Sequence, residues 1–378
     1  MPESLHFQFG PCKSSITFWE KTPRPAELSG LLFHGDAKPA ALVVCDENTA
    51  PLAKHIFGDH AEAVRTLQLP AGEGHKSWAS VEAIIHAAKE TGNCLDRGGL
   101  FIGMGGGVVC DCTAFAASMY MRGARLALIP TTLLCMADAA VGGKTGINLA
   151  GVKNLAGTFY PAENIIIIAG LLATLPHREW KSGMAEIIKA AIIDEDPAFF
   201  CRLQQLPAAV QQSASPEELL PFIKKAILVK GRIVENDPFE TSENGRVQLN
   251  LGHTFGHALE SAMTAGQTHH MPGTLNHGEA VAWGIAKSCE LGLKLGITPP
   301  DRAQAIADIL NAWGFDTSNV FQKGSETAKQ FREALLHDKK KKNGKLRFVV
   351  PAESGVAVVE ENNSIKRFIE QITTKNNS

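Results

Sequence analysis

No window of this sequence holds the uninterrupted apolar run of a membrane span, and its start, MPESLHFQFGPCKSS, lacks the basic segment and apolar core of a leader. A soluble, cytoplasmic protein with no membrane partner is the expectation. Neither sign of charge is in excess: Lys plus Arg number 37 against 39 Asp plus Glu, a net charge of -2. That balance argues against a nucleic-acid partner, so any anion site must be local. Closely spaced cysteine pairs of the C-x-x-C kind are also missing, although the chain has eight cysteines. They read as thiols of a reducing compartment, several of them in apolar runs where cysteine behaves as a small hydrophobe. Cys110 and Cys112, in VVCDC, point in different directions on a helix and have no second pair to complete a metal site.

What the chain does have changes character part-way. Up to about residue 170, buried strand patterns alternate with helical periodicity: ALVVCD at 41–46, LFIGMGGG at 100–107, RLALIPTT at 125–132 and NIIIIAG at 164–170. This is the pattern of an α/β domain with a largely parallel sheet. Beyond it, helical candidates dominate at 178–193, 217–234, 251–264, 277–293, 301–313 and 326–337, with one short β-like run, KLRFVVPA, near the end. The expected division is therefore an α/β domain over 1–170 and a mainly helical domain over 171–378. A cleft between two domains is the natural place for a small-molecule site.

Several stretches carry polar chemistry. GMGGGVVCD, residues 103–111, leaves an apolar strand and enters a helix, where glycines let backbone N–H groups approach a phosphate. A tight strand-to-helix joint accounts equally well for the glycines alone. Asp46, ending ALVVCD, suits either a ribose hydroxyl or a turn cap. The glycine-rich segment 136–161 places Asp138, Lys144, Lys153 and Asn154 together, without a Walker pattern, as suits a polyhydroxylated anion. Glu186, His253 and His277 offer one carboxylate and two imidazoles, a donor set that suits Zn²⁺ with a position left open, but their long separations do not by themselves bring them together, and Glu186 reads equally as a helix-surface ion pair with Lys189. His253 and His257 share one helix face, so one can bind metal and the other assist proton transfer. His269 and His270 are rival ligands in a loop, and either site histidine also reads as a satisfied core or surface residue. Arg246 offers a planar fork to a carboxylate, while Lys230 and one lysine of 339–342 offer compact cations.

In its ordered motifs the chain resembles the 3-dehydroquinate synthase family of sugar-phosphate cyclases over nearly its whole length. The resemblance rests on PAGEGHKS, GMGGGVVCD, YMRG, IPTTLL, ADAAVGGKTG, KNLAGTFY, GMAEIIK, LNLGHTFGHALE, NHGEAVAWG and HDKK. It implies a Rossmann-like NAD-binding domain, a helical metal-binding domain and a homodimer. It further implies Zn²⁺, or Co²⁺ or another divalent ion, on Glu186, His253 and His277. By the same resemblance Arg122, Lys144, Asn154 and Lys340 are phosphate contacts, with Arg122 reaching a neighbouring subunit's site and Lys339 the rival of Lys340. Asp138, Lys189, Lys230, Arg246, Asn250 and His257 match substrate-recognition or proton-transfer positions. Asp46, Glu73, Lys76, Gly106, Gly107, Asp111, Thr131, Thr132 and Lys153 fall where the family contacts NAD.

The sequence departs from the family at Cys110, where glycine is common, and in longer segments before His277 and Arg246. The implied activity is conversion of 3-deoxy-D-arabino-heptulosonate 7-phosphate to 3-dehydroquinate and phosphate. The alternatives are a cyclase acting on sedoheptulose 7-phosphate and a metal-dependent polyol dehydrogenase.

Overall fold

A computed structural model describes residues 2–33, 40–57, 64–90, 94–206, 215–242, 245–264, 275–322, 324–336 and 346–374. The chain divides into two compact units, Met1–Trp180 with Ser215–Phe239, and Lys181–Ala214 with Glu240–Ser378. The first crossing falls about ten residues beyond the expected boundary, and a later segment returns to the first unit.

In the first unit an N-terminal hairpin, β1 (Glu3–Phe9) and β2 (Cys12–Trp19), precedes helix α1 (Pro25–Leu32). Then come β3 (Ala41–Asp46), α2 (Ala50–Phe57), β4 (Val64–Leu69), α3 (Trp78–Lys89), β5 (Leu100–Gly105), α4 (Gly107–Met119) and β6 (Arg125–Pro130). A small separate hairpin, β7 (Ile147–Leu149) with β8 (Val152–Ala156), is followed by β9 (Asn164–Ile168).

The main sheet runs β1-β2-β9-β6-β5-β3-β4, parallel throughout except for the β1–β2 pair. Every residue of β5 is buried, as are Ile165 to Ile168 of β9, which is why these strands read as unbroken apolar runs. The chain passes from β3 outward to β4 and returns to β5 on the other side of β3, so the strand order reverses between β3 and β5. In open α/β sheets that reversal opens a crevice beyond the carboxyl ends of the strands. Asp46 and Gly106 lie at those ends.

Helix α5 (His177–Ile193) leads into the second unit, followed by α6 (Pro197–Gln204). Helix α7 (Pro216–Asn236) belongs to the first unit. It is fastened to the N-terminal hairpin: Gln8 N donates to Glu235 Oε1 at 2.7 Å, Lys224 pairs with Glu3, and Gly231 leaves room for the Phe7 ring. Texture along the sequence carries no sign of this return, because an amphipathic helix looks the same whichever unit it covers.

The second unit continues with α8 (His253–Thr264), α9 (His277–Lys294), α10 (Pro300–Ala312) and α11 (Glu326–Leu336). It closes with the hairpin β10 (Arg347–Pro351)–β11 (Val356–Glu360) and α12 (Asn363–Thr374). Its core gathers Phe255 and Leu259 of α8, Trp283 of α9, Phe321, Phe331 of α11, Phe348 of β10 and Phe368 of α12. Asn276 caps α9 by accepting from Glu279 N at 2.8 Å, while the Glu279 carboxylate accepts from Asn276 N at 2.9 Å. No helix among the described residues is long and apolar enough to cross a membrane.

Candidate functional site

Three helices of the second unit bring together one carboxylate and two imidazoles, and glycine makes the approach feasible. A Cβ at Gly284 of α9 would overlap the carbonyl oxygen of Gly252, which precedes α8 at φ +76, and one at Gly278 would run into the Ser182 backbone of α5. Close backbone contact carries Glu186 (α5), His253 (first residue of α8) and His277 (first residue of α9) into one group whose ligand atoms lie within 4.8 Å of one another.

The orientation of the rings is specific. His253 Nδ1 lies 3.1 Å from the Leu251 carbonyl oxygen, which selects the tautomer with Nδ1–H donating and directs the Nε2 lone pair elsewhere. His253 Nε2 is then 3.5 Å from Glu186 Oε1, and His277 Nε2 is 3.4 Å from the same oxygen. Ligands bonded to Zn²⁺ at about 2.0–2.1 Å in a tetrahedron stand about 3.3 Å apart. The donor types and spacing therefore fit a divalent ion such as Zn²⁺.

On its other oxygen Glu186 pairs with buried Lys189, and the Glu186 carboxylate is itself only 1% exposed. His277 Nδ1 lies 3.5 Å from Glu260 Oε2. Burial alone would lower the His277 pKa, but Glu186 and Glu260 outweigh it and raise it to about 10. An arriving cation must displace that proton. His257, exposed one turn along α8, forms a second group with Glu260 and His277. Arg246 and Asn250 begin and end one short 3-10 turn, Arg246 buried with Nε 3.8 Å from Glu240 Oε1. Lys340, Lys339, His269 and His270 lie outside the described residues.

In the first unit the glycine run follows β5 as expected. Gly106 is the N-cap of α4 without a side-chain cap bond, and no acidic residue occupies the first turn. This leaves the helix N-terminus chemically suited to a phosphate. Gly105 is required by packing, since a Cβ there would lie 2.7 Å from the Val109 side chain. Beyond β6, Thr131 is buried and Thr132 half-buried, with Thr132 Cγ2 3.1 Å from where a Gly106 Cβ would stand.

Asp46 lies at the end of β3, and its Oδ1 accepts from Asn48 N at 3.0 Å, Thr49 N at 2.9 Å and Thr49 Oγ1 at 2.8 Å. One oxygen of Asp46 thus caps the turn. Thr49 Oγ1 also donates to the Met104 carbonyl at 3.1 Å, tying the β3 turn to β5.

Other predicted residues contact one another. Lys76 Nζ lies 2.6 Å from Asp111 Oδ2 and 2.6 Å from Asn154 Oδ1. Asn148 joins them: its side-chain amide donates to Glu73 Oε1 at 2.8 Å, and its side-chain oxygen accepts from Asn154 N at 3.0 Å. The backbone N–H of Asn148 donates to the Lys76 carbonyl at 2.8 Å, which holds the β7–β8 hairpin against the turn at Glu73–His75. Lys230 of α7 reaches Asp138, with Nζ 2.9 Å from Oδ1 and 2.7 Å from the main-chain oxygen. Asp138 sits in a π-helical turn, Cys135–Ala139, closed by Ala140 N donating to Cys135 O at 3.0 Å. Such turns recur at functional sites.

Lys144 and Lys153 are exposed, as is Arg122, where Met121 (φ 49), Arg122 (φ 68) and Gly123 (φ 127) make three successive residues of positive φ. The two that are not glycine bear a steric cost to turn the chain there. The residues that sequence reasoning missed are Asn148 and Glu260. Glu260 carried a weak signal, its position seven residues after His253 on the same helical face; Asn148 carried none.

Residues 66–182 match the family model described as 3-dehydroquinate synthase N-terminal, and residues 183–341 match 3-dehydroquinate synthase C-terminal. The chain belongs to the 3-dehydroquinate synthase family. A 3-dehydroquinate synthase of Rhodopirellula baltica is 40% identical over 297 residues, covering 78% of this chain and 75% of that protein. One from Dictyoglomus turgidum is 39% identical over 317 residues, covering 83% and 84%.

Among solved structures, 2-epi-5-epi-valiolone synthase of Streptomyces hygroscopicus, with NAD⁺ and Zn²⁺ bound, aligns at a TM-score of 0.81 and 25% identity over 97% of each chain. A 2-deoxy-scyllo-inosose synthase complexed with carbaglucose-6-phosphate, NAD⁺ and Co²⁺ aligns at 0.79 and 23% identity, over 98% of this chain and 100% of that one. The fold is that of the sugar-phosphate cyclases, an α/β unit with a parallel-rich sheet and a mainly helical unit.

Proposed function

We propose that the protein converts 3-deoxy-D-arabino-heptulosonate 7-phosphate to 3-dehydroquinate and inorganic phosphate, as its family membership implies. The observation that carries the reading is the convergence of His253 Nε2 and His277 Nε2 on Glu186 Oε1. The bound NAD⁺ and divalent ions of the two structural relatives support the same cofactors here. When bound, NAD takes up and later returns a hydride at C5, while the divalent ion polarises the oxygen at that carbon.

In this reading the first unit binds NAD and the second holds the metal. Glu186, His253 and His277 hold the ion. Gly106 and Gly107 admit the pyrophosphate to the N-terminus of α4, with Asp46, Glu73, Lys76, Asp111, Thr131, Thr132 and Lys153 forming the rest of the nucleotide site. Arg122, Lys144 and Lys340 neutralise the substrate phosphate and Asn154 hydrogen-bonds it, while Arg246 and Asn250 hold its carboxylate. Asp138, Lys189, Lys230 and His257 orient hydroxyls or relay protons.

Oxidation at C5 acidifies the C6 hydrogen; loss of that proton then expels phosphate, whose own oxygen is a suitable acceptor. Reduction, ring opening and an intramolecular aldol closure complete the sequence. The reading includes a homodimer, with Arg122 serving the neighbouring subunit's site, and a cytoplasmic location. Turnover of purified substrate should release phosphate stoichiometrically without net NADH. One NADH accumulating per substrate consumed would sink the proposal and favour a polyol dehydrogenase.

A further inference from the structure

We propose that Glu260 is a positioning residue for the metal centre, accepting the Nδ1 proton of His277 so that Nε2 presents its lone pair beside Glu186. The inference rests on the reading of Glu186, His253 and His277 as metal ligands.

A neutral imidazole has one N–H and one lone pair, and the partner of the first decides the direction of the second. For His253 that partner is a backbone carbonyl, Leu251 O, at 3.1 Å. No such carbonyl is needed at His277, because Glu260 Oε2 stands 3.5 Å from its Nδ1 while Nε2 lies 3.4 Å from Glu186 Oε1. The Glu260 side chain is only 8% exposed. A carboxylate withdrawn from water to that extent requires a donor or a positive charge. Here the imidazole itself supplies one.

The chain positions Glu260 through helix geometry. It lies seven residues after His253, two turns along the same face of α8, and Ala258, Leu259 and Ala262 are packed into the core of the second unit around it. His277 opens α9 at a capped N-terminus, which limits how its ring can move. Glu260 therefore makes His277 a more basic and better oriented ligand than a lone histidine at a helix start.

His257, Glu260 and His277 also form a group able to hold an ion by themselves. The Glu186 group is favoured because both of its histidines direct Nε2 to one carboxylate oxygen and neither is exposed, whereas His257 is. In that arrangement Glu260 is left with the proton of Nδ1.

The test uses the full-length protein and Zn²⁺ alone, with affinity measured by competition against a chromophoric chelator and the coordination sphere followed by Co²⁺ absorption. Glu260→Ala should weaken Zn²⁺ binding about 10–100-fold and alter the Co²⁺ spectrum, while Glu260→Gln, which keeps an acceptor oxygen, should recover part of the loss. Far-ultraviolet dichroism and NAD⁺ affinity should be unchanged, separating the effect from misfolding. In a His277→Ala background, Glu260→Ala should cause no further loss.

Wild-type Zn²⁺ affinity in Glu260→Ala, or an equal loss in the His277→Ala background, would overturn the positioning role. Retention of Zn²⁺ by His277→Ala would instead overturn the metal-site reading beneath it. Loss of Zn²⁺ in His257→Ala with retention in Glu186→Ala would assign the ion to the other group and make Glu260 a direct ligand.

Discussion

The Lys76 ammonium lies 2.6 Å from the Asp111 carboxylate, with 8% and 17% of the two side chains exposed. Burial opposes the charge on Lys76, but Asp111 and Glu73 outweigh it and hold its pKa above the ordinary lysine value. Removing one partner of such a pair leaves the other charge stranded. Lys76→Met should therefore destabilise the protein by about 3 kcal/mol, and Lys76→Met with Asp111→Asn by less than the sum of the two single changes. Urea unfolding of the four proteins checks the coupling. Strict additivity would mean that the contact contributes nothing.

Thiol chemistry offers a pH-dependent test. Burial, the largest influence on each, pushes Cys45 up to about 11 and both Cys112 and Cys289 up to about 12. Cys94 and Cys201 are exposed. A disulfide reagent at about pH 8 should label these two rapidly and the buried Cys45, Cys110, Cys112, Cys135 and Cys289 only on unfolding.

The same shifts fix the sign of a pH dependence. The unfolded chain loses its thiol protons near pH 9 while folded Cys112 and Cys289 keep theirs until about 12, so stability contributed by these groups falls between pH 9 and 12. Cys112→Ala or Cys289→Ala should flatten that decline. Chemical denaturation at intervals of about one pH unit from roughly pH 8 to 11 reads it out, and an unchanged slope in both variants would count against the explanation.

Glycine at the helix contacts should matter to the proposed metal centre without touching it. A side chain at Gly284 would overlap the Gly252 carbonyl, backbone that cannot rotate away. Gly284→Ala should cost about 1–3 kcal/mol by overpacking and weaken Zn²⁺ binding by displacing α8 from α9. Gly296→Ala is a control for added bulk without a clash, since nothing stands within 4 Å of the added Cβ, although its φ of +71 carries its own strain. Zn²⁺ affinity should fall in the first variant only; an equal fall in both would remove the packing explanation.

Much of this arrangement was legible in the sequence for identifiable reasons. Strands β3, β5, β6 and β9 are buried on both faces, so they read as continuous apolar runs. The long helices came out within a few residues of their observed ends. Strands β1 and β4 did not, because exposed or half-buried polar residues interrupt their apolar patterns.

The candidate metal group of Glu186, His253 and His277 was legible only through the order of the motifs, since three helices supply one member each and no local spacing links them. In LNLGHTFGH the local signal was the histidine pair, and its glycines proved to be the contact points between helix backbones. Lys76 and Asp111 were implied only by the resemblance and Asn154 was read from its glycine-rich segment; the contact of Lys76 with Asn154 runs to the β7–β8 hairpin, which Asn148 helps to hold and which follows from tertiary pairing alone.

Arg246 provides the discriminating test of substrate. It is buried at the start of the turn that ends at Asn250, and its guanidinium is held near Glu240. A planar fork grips a carboxylate through two parallel hydrogen bonds, whereas an ammonium offers a single point charge. Arg246→Lys keeps the charge and removes the fork. On the proposed reading KM for 3-deoxy-D-arabino-heptulosonate 7-phosphate should rise about 10-fold, equivalent to the loss of roughly 1.4 kcal/mol of binding, with kcat reduced less. Any activity toward sedoheptulose 7-phosphate, which lacks the carboxylate, should change little. Steady-state phosphate release with both substrates reads the difference, and an equal loss on each would show that Arg246 does not recognise the carboxylate.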